Sequence, residues 1–313
     1  MRRTLLIGML LILSGCRHKE LWMGGEQYAT LEVVFDWADA HTRAAGEEAL
    51  SMSLYLYPEE GNRPLYYELP GHAGGSVRVP FGRYTAVAWN HENDAILLRG
   101  MDRAETLEAY TREQPVLASM GLNTRAPRPE TPEEERSVLE PGPFWTGVRE
   151  GLEVSMTAPL RVTIPVRDAY GRLSVQVRDV ENIAFVTKVS FAISSVSATL
   201  FPATGILGAE DVTIPFGGHV EEGEALVGRC TLFGHCPEEV HSHWLTIYAI
   251  LADGSKYFTH VDVTGQMHQP GEDPQEMELE IEGIAFPDPF DGDASAFASV
   301  DDWLTEKIDL IMH

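Results

Sequence analysis

The sequence of 313 residues is short of positive charge. It carries 23 Lys+Arg against 48 Asp+Glu, a formal net charge of −25. A surface that acidic repels phosphate backbones, which argues against nucleic acid as a partner. Cysteine is scarce as well, with three in the whole chain, so a disulfide-stapled miniature scaffold is excluded and the fold must rest on a core. Beyond the N-terminal segment no apolar run approaches the roughly 18 residues of a membrane-spanning helix. Common catalytic signatures are missing: there is no G-x-S-x-G, no H-E-x-x-H, no P-loop and no G-x-G-x-x-G. Carboxylate pairs occur throughout so acidic a chain, and no glycosidase dyad stands out among them. The expectation is a protein without catalytic activity or bound cofactor.

What is present begins at residue 1. Arg2 and Arg3 precede ten uncharged, mostly apolar residues, 4–13, and then Leu13-Ser14-Gly15-Cys16. A basic start, a short apolar run and a small-residue cleavage site form a secretory signal, too short to span a bilayer. The cysteine directly after Leu-Ser-Gly fits the bacterial lipobox. Cys16 is therefore the expected lipidation site and mature N-terminus, and its covalent lipid the expected membrane anchor. An apolar content of 44% then argues for folded domains behind the anchor and against a disordered tether.

Behind a polar spacer the chain reads as β throughout. At 30–36 Leu31, Val33 and Phe35 alternate with polar residues, the signature of a half-buried strand. Further strands are expected at 51–57, 64–69, 76–79, 82–90 and 95–99. Residues 102–110 (DRAETLEAY) favour a short helix by composition and by their Asp cap. Residues 123–143 are rich in proline and contain Glu133-Glu134-Glu135, which reads as an exposed loop or linker. A second β-rich region follows, with strands expected at 160–166, 173–177, 196–201, 212–216, 225–233, 244–251, 257–263 and 277–284. Residues 180–193 are ambiguous between strand and helix. Asp253-Gly254 signals a hairpin. The tail ends in a terminal strand around 307–312, with an amphipathic helix as the competing reading.

The predicted organisation is all-β: a signal peptide (1–15), a lipidated spacer (16–28), a first sandwich (29–122), a Pro/Glu-rich loop or linker (123–150), a second sandwich (151–286) and an acidic tail with a terminal strand (287–313).

Several phrases, spread over nearly the whole chain, carry a resemblance: LEVVFDW from Leu31, LYLYP from Leu54, VPFGRY from Val79 on to Asn90, LRG from Leu98 with AYTR from Ala109, DGSKY from Asp253 with VDVT from Val261, and VDDW from Val300 with IDLIM from Ile308. They resemble the Bacteroides-type lipoproteins related to the fimbrial anchor and assembly lipoproteins of Bacteroidales. The resemblance implies two tandem transthyretin- or immunoglobulin-like β-sandwiches, outer-membrane attachment on a face it does not specify, and a role in adhesion or fimbrial assembly. Fimbrial subunits or other envelope proteins are then the expected partners, met by β-strand addition. It implies no catalytic residues.

Two side-chain groups invite chemistry. Cys230 and Cys236, with His235, His241 and His243, gather zinc-ligand types within one predicted loop, although the spacing fits no standard zinc module. A Cys230–Cys236 disulfide, two unbonded thiols and a metal site are the three readings, and export favours the bridge. The acidic phrase from Asp288 through Asp291 to Asp293 lacks the full spacing of a calcium loop. Separately, Tyr55, Tyr57, Tyr66, Tyr67, Tyr84 and Trp89 would suit a sugar-stacking platform if exposed, and a glycan-binding surface lipoprotein working beside an outer-membrane importer is the alternative function. In alternating strands such residues more often fill a core or cover a sheet face.

Overall fold

The structure, a computed structural model, describes residues 27–40, 49–60, 63–123, 125–129, 134–156, 160–235, 241–269, 275–288 and 303–305. In chain order the strands are β1 (Tyr28–Asp36), β2 (Ser51–Pro58), β3 (Leu65–Pro70), β4 (Gly74–Pro80), β5 (Gly82–Asn90), β6 (Ile96–Arg99), β7 (Glu108–Thr111), β8 (Arg136–Ser137), β9 (Trp145–Val154) and β10 (Leu160–Asp168). They continue as β11 (Gly171–Arg178), β12 (Val186–Ser197), β13 (Thr199–Phe201), β14 (Ile206–Leu207), β15 (Asp211–Glu221), β16 (Ala225–Leu232), β17 (Trp244–Leu251), β18 (Lys256–Asp262), β19 (Glu276–Glu282) and β20 (Trp303–Thr305). A single turn of α-helix, α1 (Thr264–Met267), follows β18. The all-β expectation holds.

A seven-stranded sheet runs β3-β2-β5-β9-β10-β1-β4. Strand alternation sends Leu31, Val33 and Phe35 of β1, Met52, Leu54 and Leu56 of β2, and Ile164 and Val166 of β10 into one core. The sheet curls until its edges meet, where the Tyr67 hydroxyl donates to Arg78 O at 2.8 Å. That contact brings the two terminal strands, β3 and β4, together. Strand β10 belongs here, parallel to β1 with Leu31 opposite Leu160. The sequence reading put 160–166 in the second β-rich region. Alternation specifies which face a strand buries but not which strand it joins.

The second sheet runs β19-β11-β16-β15-β12-β17-β18-β20, with β8 pairing onto β15. Its inner face packs Phe191, Ile193, Phe216, Leu226, Leu245 and Ile247 into a separate core. The outer face of β12, β17 and β18 is covered too: Val116, Leu117 and Met120 pack on Ala192, Tyr248 and Phe258. With both faces buried, the residues of β12 from Val189 to Ser197 are all buried, and this explains why periodicity left 180–193 undecided.

A four-stranded sheet, β14-β13-β7-β6, adds Ala109 and Leu200 to the first core. It replaces the helix expected over 102–110. That stretch is one 3-10 turn, Ala104–Thr106, followed by β7. Leu107 and Ala109 are both fully buried at period-two spacing, so burial against the core overrides helix propensity.

The Pro/Glu-rich stretch is docked rather than free over its described residues. Tyr248 Oη donates to Pro127 O at 2.7 Å, and Asn93 Nδ2 donates to Pro141 O and Pro143 O, each at 2.8 Å. Glu140 accepts from Thr231 N at 2.8 Å, and Phe144 and Trp145 are buried in the first core.

Candidate functional site

Strand addition takes place at sheet edges, and the two ends of the large sheet are built differently. At one end of the large sheet β19 places Glu276, Glu278, Glu280 and Glu282 on its outward side. Four negative charges on a terminal strand blunt it against further pairing. The other end is built differently. Strand β17 turns into β18 through a tight hairpin: Gly254, at φ 86°, donates its N–H to Leu251 O, and the Asp253 carboxylate accepts from Ser255 N at 2.9 Å. This is the Asp-Gly hairpin read from the sequence, with glycine supplying the positive φ.

Strand β18 then runs from Lys256 to Asp262, and β20 lies parallel along its outer side, with Lys256 opposite Trp303 and Phe258 opposite Thr305. Among the described residues β20 pairs with three of the seven residues of β18. Thr259 to Asp262 have no outer strand there. The strand expected at 307–312 lies outside the described residues; the terminal strand that is described begins at Trp303.

Aromatic rings line the outer face of this edge. Trp303 meets Tyr248 edge-on at 5.3 Å, Tyr248 stacks with Phe258 at 6.4 Å, and His260 lies 5.2 Å from Trp244. Three buried ring nitrogens in this row, Trp244 Nε1, His260 Nδ1 and Trp303 Nε1, have no hydrogen-bond partner among the described residues. Burial also lowers the His260 pKa, since the charged ring would lose water. Buried polar atoms are nearly always paired, so three unpaired ones beside one sheet edge make it the candidate surface.

The chemistry-bearing residues fall into separate places. Cys16 and Cys236 lie outside the described residues. Cys230 lies in β16, buried in the second core opposite Leu173 and without a disulfide partner among the described residues, and burial raises its pKa well above the usual thiol value. His241 pairs with the Asp211 carboxylate on the surface. Its neighbours His235 and His243 converge instead with His268, which follows α1. The ring centroids are 5.3 Å apart for His235–His243, 5.1 Å for His235–His268 and 5.1 Å for His243–His268. His243 Nδ1 faces Ser194 O at 3.2 Å. A carbonyl only accepts, so Nδ1 carries the proton and Nε2 offers its lone pair to His268 Nε2–H at 3.0 Å. Burial first, then its two neighbours, pushes the His235 pKa down to about 4; burial likewise lowers that of His243. His268 was not foreseen, because it stands 25 residues from His243 in sequence and no local spacing links them.

The aromatic set does not form an open platform. Tyr57, Tyr84 and Trp89 are buried. Tyr55 stacks on Trp89 at 4.9 Å, and Tyr66 alone of the six is exposed.

Two curled antiparallel-rich sheets, each around its own core, with one lightly covered edge, define an all-β protein of the sandwich class. The chain belongs to the family described as Domain of unknown function (DUF5119), whose family model matches residues 15–217. In sequence it is 30% identical over 106 residues to "Putative fimbrium anchoring subunit Fim4B" of Bacteroides ovatus, a match covering 34% of this chain and 30% of that protein. The chain thus spans about 30% of the length of the curated relative it matches. In structure it is similar to a protein titled a putative adhesin from Bacteroides ovatus (TM-score 0.59, 20% identity, 88% of this chain and 99% of that one). It is also similar to the fimbrial anchor protein Mfa2 from Porphyromonas gingivalis (TM-score 0.51, 14% identity, 82% of this chain and 91% of that one). At these identities the structural likeness establishes the fold. No helix among the described residues is long and apolar enough to cross a membrane.

Proposed function

We propose that this protein is a non-enzymatic, lipid-anchored envelope protein that serves in adhesion or as a fimbrial anchor or accessory subunit. In this reading Cys16 carries the lipid on the outer membrane, and a partner strand adds at the β18–β20 end of the large sheet. The observation that carries the proposal is that edge: seven residues of β18 with three of them paired outward among the described residues, beside three unpartnered buried ring nitrogens. Strand addition would extend the ladder with main-chain hydrogen bonds, and alternate side chains would set the register. The sequence similarity to a fimbrium anchoring subunit and the shared architecture with a fimbrial anchor protein support the same direction.

The test is removal of residues 303–313. The shortened chain should keep the far-ultraviolet circular dichroism of the parent and lose capture of fimbrial subunits purified from the same cells. Unchanged capture by a folded, shortened chain defeats the proposal. Glycan binding is the weaker reading, since the aromatics it needs are mostly covered; polysaccharide retention that depends on Tyr66 would revive it.

A further inference from the structure

Two connections at one end of the large sheet contribute three histidines, two from the β16–β17 connection and one from the turn after β18. His235 follows β16, His243 precedes β17, and His268 follows α1. Nothing in the strand ladders requires imidazole at these positions. Three imidazoles holding one ion, each nitrogen about 2.1 Å away at tetrahedral angles, have ring centroids about 5 Å apart. The observed separations of 5.3, 5.1 and 5.1 Å match that spacing. Nε2 of His243 and Nε2 of His268 face each other across 3.0 Å, whereas two nitrogens sharing a tetrahedral ion stand about 3.4 Å apart. A shift of a few tenths of an ångström therefore admits the ion. Without one the trio closes on its own hydrogen bond, and no three-ligand cage stands ready among the described residues.

The outer contacts also suit a metal. Ser194 O accepts from Nδ1 of His243, and the Met267 backbone accepts from His235. Metal-bound histidines are held by such second hydrogen bonds, which fix the ring and its tautomer. Asp262 adds negative charge near His243. His243 is 2% exposed, while His235 and His268 are half-buried and leave the site reachable from water.

We propose that His235, His243 and His268 bind one divalent ion of the zinc class, with water in the fourth position. All-imidazole donation favours zinc, cobalt, nickel or copper over calcium and magnesium. The ion would tie the β16–β17 connection to the turn after β18, clamping the base of the hairpin. The proposal is independent of any role in adhesion.

The test uses the full chain in detergent, without a polyhistidine tag, stripped with EDTA and titrated with Co2+. One Co2+ per chain should bind with the strong visible absorption of a tetrahedral site, and Zn2+ should displace it. His268→Ala and His235→Ala, both at half-buried positions, should keep the parent circular dichroism and weaken binding more than about tenfold. His241→Ala and Cys236→Ser should bind as the parent does. Absence of saturable Co2+ binding at micromolar concentrations overturns the proposal. So does parental affinity in folded His268→Ala, and so does loss of the band in Cys236→Ser, which would assign the ion to a thiolate site.

Discussion

Glu135 is one of the points at which the proline-rich segment is fastened to the large sheet, and its loss should be felt in the strands it ties together, β12 and β15. Strand β12 breaks register between Ile193 and Val196, and Ser195 in that bulge sits at φ 60°, a conformation that disfavours a side chain. Its amide and hydroxyl are drawn to one carboxylate: Ser195 N donates to Glu135 Oε2 at 3.1 Å and Ser195 Oγ donates to Glu135 Oε1 at 3.0 Å. Thr213 Oγ1, from β15, donates to Glu135 Oε2 at 2.9 Å. Each hydrogen bond to a charged group contributes about 1.5–3 kcal/mol, and such bonds within one network do not add fully. Glu135→Ala would also leave the Ser195 amide buried without this acceptor. The expected loss is about 3 kcal/mol in all, with about half of that for Glu135→Gln, which keeps one carbonyl acceptor. Urea unfolding followed by circular dichroism reads the change as a lower midpoint at unchanged slope, and proteolysis should cut the 123–143 segment sooner. An alanine variant within about 0.5 kcal/mol of the parent would show that neighbouring contacts, not the carboxylate, hold the segment.

Four further outcomes follow from the same structure. Gly228→Ala should destabilise by about 1–3 kcal/mol through overpacking, because the added methyl would lie 2.6 Å from the Phe191 ring; a neutral variant in urea unfolding would mean the core yields there. In a Cys16→Ala, Cys236→Ser background, Cys230 should resist a water-soluble thiol reagent until denaturant is added, and rapid labelling of the folded chain would contradict its burial. With chelator present, stability should fall as the pH drops from 6.5 through about 4, because the unfolded His235 takes up its proton at 6.5 and the folded one at about 4. Over that window the unfolded state binds more protons, so His235→Asn should flatten the slope, and an equal slope refutes the assignment. Cys16→Ala should move the protein out of the membrane fraction with its fold intact; retention on membranes removes the proposed anchor.

Much of this architecture can be read in the residues themselves. Leu31, Val33 and Phe35 alternate because one face of β1 is buried, and Asp253-Gly254 makes the hairpin it signals. What escapes sequence reading is association between distant segments. Leu160 shows its strand character, but nothing local says that it lies beside Leu31 rather than beside residues that follow it. Leu107 sits in a helix-forming composition and is turned into β structure by a core made from other strands. The same limit applies to the candidate sites. His235 and His243 stand out by their spacing, whereas His268 joins them because α1 folds back to the start of β17. The β18 edge becomes a candidate once β19 is seen to be shielded by glutamates.

The most direct measurement is site-specific photocrosslinking in living cells, with the photoreactive residue at Asp262, the exposed residue in the uncovered half of β18, and, as control, at Glu278 on β19. The account predicts an adduct with a fimbrial subunit from position 262, absent from position 278 and lost when residues 303–313 are removed. Equal adducts from both positions, or none from 262 while fimbriae assemble normally, would contradict it.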